Sequence, residues 1–198
     1  MKTPKIYTDN LKEGIITKEM LSDCLFSVNK RAKNCRDKER EYRNAYRDRY
    51  DSAFTYFLQK NAYYGKKDKL LSLLAPTCIH VEDQGVKRVK VYDYEDDFYE
   101  YRDKFVHEGE YYDRELRTVV EFGVYEEPDL RYYLLYEVNG KTFHTPIDSE
   151  DVKKYSGVEI KEIGQLHTMG EDISDLISCQ FVDKVLALID TGNYTLKL

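Results

Sequence analysis

The sequence predicts an α+β fold: a long basic amphipathic N-terminal helix, arranged as a helical hairpin, followed by an antiparallel β-meander with flanking helices. Three observations predict it. Apolar residues recur at steps of three and four from Leu21 to Phe57, the helical period. From Thr77 onward the pattern shifts to the two-residue alternation of strands, clearest over Leu116–Tyr125 and on both sides of Asn139-Gly140. Charge divides at the same place: residues 1–80 hold 17 basic and 10 acidic side chains (+7), and residues 81–198 hold 14 and 27 (−13). On this division residues 1–75 form a basic helical unit and residues 76–198 an acidic α+β unit, either as two units or as one compact domain.

Taken in order, Thr17 is suited to cap a helix that starts at Lys18 and Glu19, although Met20 stands where a capping box needs glutamate. Leu21, Leu25, Val28, Ala32, Cys35, Tyr42, Tyr46, Ala53 and Phe57 line one stripe and carry the predicted helix to about Leu58. Gly65 within Asn61–Lys67 predicts a turn, after which KKDKLLSLL reads as a short helix stopped by Pro76. TCIHVED and VKRVKVYDY flank Gln84 and Gly85 in the manner of a hairpin. Tyr94, Phe98, Tyr101 and Phe105 keep helical spacing through an acidic stretch, which predicts a short helix.

In the meander, Leu116, Thr118, Val120, Phe122 and Val124 share a face, and Glu126-Glu127-Pro128-Asp129 is read as a turn before a strand over Arg131–Val138. Asn139-Gly140 signals a type I′ turn that pairs Tyr136 with Phe143 and Leu135 with His144. A helical turn or two over Asp148–Tyr155 and a strand over Val158–Ile163 follow. The last helix is expected to be capped by Asp172, lined by Ile173, Ile177, Phe181, Val185 and Leu188, and ended by Gly192 before a YTLKL strand.

Composition narrows the function classes. No stretch approaches the roughly 20 apolar residues of a membrane span, and MKTPKIYTDNLKEG lacks the apolar segment of a secretory signal, so a cytosolic protein is expected. Cys24, Cys35, Cys78 and Cys179 include no CxxC pair and suggest buried thiols. Nineteen tyrosines with no tryptophan favour a surface that buries area while staying partly wet.

Lys33, Arg36, Arg40, Arg43 and Arg47 recur at helical steps, so five cations on one face could follow phosphates or meet an acidic protein. Asp37, Glu41 and Asp48 flank them and favour a self-paired, solvated face instead. Two carboxylate clusters, Asp93, Glu95, Asp96 and Asp97 at one site and Glu126, Glu127 and Asp129 at a hairpin tip, could imitate a phosphate backbone in a basic groove. Catalytic signals are sparse. His80, His107, His144 and His167 lack metal-ligand spacing, and Glu159-Ile160-Lys161 is half of a metal-nuclease motif without its upstream aspartate. No catalytic residue, metal site or cofactor is expected.

The basic stretch KRAKNCRDKEREYRNAYRDRYD followed by YYLLYEVNGKTFHTPI resembles small phage and plasmid accessory proteins of Gram-positive bacteria. Among these are anti-CRISPR inhibitors of the type II RNA-guided nuclease. The resemblance implies a non-enzymatic inhibitor in the bacterial host cytoplasm, with the effector nuclease, its guide RNA or both as partner, no membrane association, and a possible homo-oligomer. In that setting the basic stripe would face guide RNA or acidic protein, and the carboxylates would face the nuclease's arginine-rich channel. The alternatives are a nucleic-acid-binding accessory or regulatory protein and a small metal-dependent nuclease.

Overall fold

The computed structural model describes residues 3–45, 50–162 and 176–198. Helix α1 (Lys5–Lys12) ends at Gly14, whose φ of +71° turns the chain into strand β1 (Ile15–Thr17). Helix α2 (Lys18–Ala45) starts immediately, with Thr17 Oγ1 accepting the Met20 N–H at 3.3 Å. Helix α3 (Tyr50–Leu71) runs antiparallel to it: Cys35 meets Gln59, Glu39 meets Lys60, and the Tyr42 and Tyr56 rings stack at 5.4 Å. The single helix expected to reach Leu58 is therefore two, and Ala53 and Phe57 kept the helical period because they lie on the second helix. Tyr46 lies outside the described residues.

Gly65 does not end α3. Its missing side chain costs only about 1 kcal/mol in a helix interior, and buried Lys67, Leu70 and Leu71 hold the following turns in place.

Five strands build the main sheet: β2 (Cys78–Tyr92), β3 (His107–Asp113), β4 (Thr118–Val138), β5 (Lys141–Ile147) and β6 (Ile160–Glu162). β4 is the spine. Its N-terminal part pairs with β3 and its C-terminal part with β5 on the same edge, while β2 lies antiparallel along the other edge and carries β6 in parallel. At the Asn139-Gly140 turn both residues have positive φ, and Tyr136 pairs with Phe143 and Leu135 with His144.

Two turns expected from the sequence are absent, and they oppose each other. Gln84-Gly85 forms a bulge within β2, and Glu126-Glu127-Pro128-Asp129 continues β4, so that Asp83 pairs with Leu130 and Val86 with Pro128. Proline is accommodated for a specific reason. Val124 C=O accepts from β3's side and Glu121 C=O from Asp93 on β2's side, so even-numbered residues of β4 point away from β2. The nitrogen of Pro128 thus faces the stretch of edge between β3 and β5, where no ladder bond is lost. Leu116 likewise sits in the turn before β4, where Asp113 Oδ1 accepts the N–H groups of Glu115 and Leu116 at 2.8 and 3.0 Å.

One large core joins both halves of the chain. Met20, Leu21, Leu25 and Val28 of α2, Leu70 and Leu71 of α3, Ile79, Leu134 and Phe143 of the sheet, and Phe181 and Val185 of helix α5 (Cys179–Thr191) pack together. Ser178 caps α5 by accepting the Phe181 N–H at 3.2 Å, so Ile177 precedes the helix, whereas Asp172 and Ile173 lie outside the described residues. Gly192, at φ +69°, closes it, and strand β7 (Thr195–Lys197) pairs in parallel with β1.

Beyond Val81 the β2–β4 ribbon leaves this core and reaches a second, smaller one. At 3.3 Å per residue, Tyr92 stands roughly 40 Å along the strand from Ile79. There helix α4 (Asp97–Tyr101) and a 3₁₀ turn (Arg102–Lys104) cover one face of β3, β4 and β2.

Candidate functional site

The far end of the ribbon concentrates the most unusual surface chemistry. Residues 93–121 carry eleven carboxylate side chains and four basic ones. Of the exposed large hydrophobic residues, Tyr94, Tyr99, Val106, Tyr112, Leu116 and Val119 all belong to the same span. Acid and aromatic surface are thus interleaved, a composition suited to burial against a protein partner.

Two glycines set the geometry. The Phe105 ring lies on Gly123, where a Cβ would come within 1.9 Å of it, and the Phe122 ring lies on Gly109, where a Cβ would come within 2.6 Å. Phe98 is buried beside Phe105 with ring centroids 5.4 Å apart, and Tyr101 stacks on Tyr125 at 4.6 Å. On the opposite face Lys90 Nζ sits 3.5 Å from the Phe122 centroid and 5.0 and 5.6 Å from those of Tyr92 and Tyr111. The lobe is therefore held by rings on both sides.

A cavity of about 470 Å³ lies at the base of the ribbon against Tyr132, Tyr133 and Pro146, and a second of about 420 Å³ opens on this lobe. The second is lined by Phe98, Phe122, Arg102, Glu108, Glu110 and Glu121. Glu110 and Glu121 are directly opposed across the strands, a like-charge pair that disfavours the sheet, and Arg102 lines the same cavity as a resident cation. Three carboxylates beside Phe98, with Arg102 already among them, leave room for one further lysine or arginine side chain. Glu108, Glu110 and Glu121 were not singled out from the sequence. The available signal was the alternation of acids about Gly109 together with Glu121, whose pairing needs the register of two strands.

The carboxylates named from the sequence are divided by the fold. Asp93, Glu95, Asp96 and Asp97 are exposed at the turn into α4, where Glu95 also accepts the Tyr92 N–H at 3.2 Å. Glu126, Glu127 and Asp129 are not at a hairpin tip but at mid-ribbon. Glu126 pairs with Arg88 at 3.0 Å, and Glu127 pairs with Lys87 at 2.6 Å and raises the lysine's pKa.

Of the basic stripe, Lys33, Arg36, Arg40 and Arg43 lie on α2, and Arg47 is outside the described residues. Arg43 binds Glu39 at 2.8 Å, and the same buried carboxylate takes Lys60 at 2.7 Å, which holds its pKa below the usual range. Arg36 Nε approaches Asp37 at 3.7 Å, and Arg40 is exposed. Internal pairing thus diverts part of the stripe.

His80, Tyr133 and His144 form a ring series with centroid separations of 6.0 and 5.7 Å, and His80 Nε2 lies 3.3 Å from Glu82. Burial, reinforced by Lys67, lowers the pKa of His144 to about 4, opposed by Glu82. Among the described residues no three His, Cys, Asp or Glu side chains converge as a metal-binding group. Lys161 of the exposed strand β6 pairs at 3.1 Å with Glu159 just before it.

Also among the described residues, no helix is long and apolar enough to cross a membrane. Compared with known proteins, the chain matches no family model, no curated protein and no solved structure.

Proposed function

We propose that this protein acts by stoichiometric binding, and that its acidic aromatic lobe occupies a basic nucleic-acid groove of a partner protein. The observation that carries this reading is the cavity lined by Glu108, Glu110 and Glu121 at the end of the ribbon, on a lobe that also exposes Tyr94, Tyr99 and Tyr112. Carboxylates fixed on strands at a separation set by the ladder can replace phosphates against arginine and lysine, while the tyrosines supply the buried area that holds the complex. The resemblance noted above supplies the partner: a type II RNA-guided effector nuclease, whose channel for the guide–target duplex is rich in cations. The basic helix α2 contributes a secondary contact, because Arg40 is exposed while Arg43 is engaged by Glu39.

Calorimetry of this protein against the guide-loaded nuclease tests the reading. Binding is expected near one to one, to weaken as salt rises, and to fall by at least about a hundredfold when Glu108, Glu110 and Glu121 are changed together to lysine. Undiminished affinity of a folded triple variant would overturn it. Tight binding of free RNA or DNA, lost when Arg36, Arg40 and Arg43 become glutamate, would transfer the function to α2 instead.

A further inference from the structure

Among the described residues the ribbon has two open edges, and they are built differently. On β4, the stretch between β3 and β5 presents Glu126, Pro128 and Leu130, so its central position has no N–H to offer. On β2, the bulge at Asp83–Val86 resets the alternation: Ile79 N–H points to β6, whereas after the bulge Asp93 N–H points to β4. Val86, Arg88 and Lys90 therefore turn both N–H and C=O outward, and among the described residues β6 ends before them, at Glu162 opposite Val81. Tyr92, the next outward position, is closed off by Glu95, which accepts its N–H and donates its own N–H to Tyr92 C=O. Among the described residues, what remains is an edge with three donors and three acceptors and neither proline nor glycine among them.

We infer that the β2 edge from Val86 to Lys90 is a docking site for an extended acidic segment of a partner protein, which adds to the sheet as one more strand. Charge selects the occupant. Lys87, Arg88 and Lys90 lie on β2 itself; Lys87 and Arg88 are paired on the β4 side with Glu127 and Glu126 yet keep 54% and 76% of their side-chain surface exposed, and Lys90 rests on the Phe122 ring. An added strand would run about 4.8 Å from β2 and about twice that from Glu126 and Glu127 on β4, so it meets the cations first. A second copy of this chain fits poorly, because antiparallel self-pairing centred on this stretch would oppose Arg88 to Arg88. The inference stands apart from the acidic lobe: its ligand has the opposite charge, and it uses backbone groups.

The test uses the isotopically labelled full chain and a blocked hexapeptide of alternating glutamate and valine. Amide exchange at Val86, Arg88 and Lys90 is expected to slow on adding the peptide, while Lys87, Val89 and Val91, already bonded to β4, stay unchanged. N-methylation of the peptide nitrogens along one edge removes donors without altering the protein and should weaken binding by about tenfold or more. A lysine–valine peptide should fail with the native chain and bind once Lys87 and Arg88 are both changed to glutamate. Absence of binding at millimolar peptide, protection located elsewhere, or equal binding of the N-methylated peptide would each overturn the proposal.

Discussion

Gly123 shows how much of the distal lobe depends on one missing methyl group. Because the Phe105 ring occupies the place of its side chain, Gly123→Ala must lift the ring and the 3₁₀ turn before it, at a cost of about 1–3 kcal/mol confined to this lobe. Hydrogen exchange should then accelerate over residues 107–124 while the amides of Leu21–Val28 stay protected; uniform loss, or none, would show that the ring does not anchor the lobe. His144 acts at the same scale on the main core. Its pKa is lowered on folding by burial and by Lys67, so the unfolded chain binds the proton first, and stability falls as pH drops from the unfolded value of 6.5 toward about 4. The loss attributable to this group is about 1–3 kcal/mol, levels off below the folded pKa, and is read as the difference between the native chain and His144→Gln in urea titrations at pH 7.5 and pH 4. Identical pH dependence in the two chains would contradict the assignment.

At the scale of elements, what the sequence made legible was whatever a few neighbouring residues determine. Thr17 at the start of α2, Gly192 at the end of α5 and Asn139-Gly140 between β4 and β5 each act through their own backbone angles or caps. Pro128 and Gly85 misled for the complementary reason. Both have turn chemistry, but whether proline breaks a strand depends on which edge its nitrogen faces, and that is decided by β3 and β5 ending on either side of it. β3 was harder still, since HEGEYYD puts acids and a glycine where apolar alternation would mark a strand. The acidic cavity was illegible with it, because Glu110 and Glu121 meet only through the β3–β4 register. Pro128→Ala should therefore change the unfolding free energy by less than about 0.5 kcal/mol, since the restored N–H faces outward, while raising self-association in sedimentation. A large destabilisation would restore the turn reading. In the helical hairpin, Glu39 is the electrostatic pin. Glu39→Gln leaves Arg43 and the largely buried Lys60 without their carboxylate and should cost about 1–3 kcal/mol, with the larger loss at low salt. No change would mark the contact as incidental.

The whole molecule is a large core from which a two-stranded ribbon carries a small acidic lobe outward. That construction sets the lobe apart, presents Glu108, Glu110 and Glu121 on strands, and leaves Tyr94, Tyr99 and Tyr112 exposed on the same lobe. The central claim is action by occupancy of a partner's cationic groove. Titrating target-DNA cleavage by a fixed, known concentration of guide-loaded type II nuclease tests it most directly. Cleavage is expected to fall linearly and reach its floor near one copy of this chain per nuclease, with the Glu108, Glu110 and Glu121 lysine variant shifting or abolishing the endpoint. Undiminished cleavage at an excess of this chain, or complete loss of activity at a small fraction of one equivalent, would contradict it.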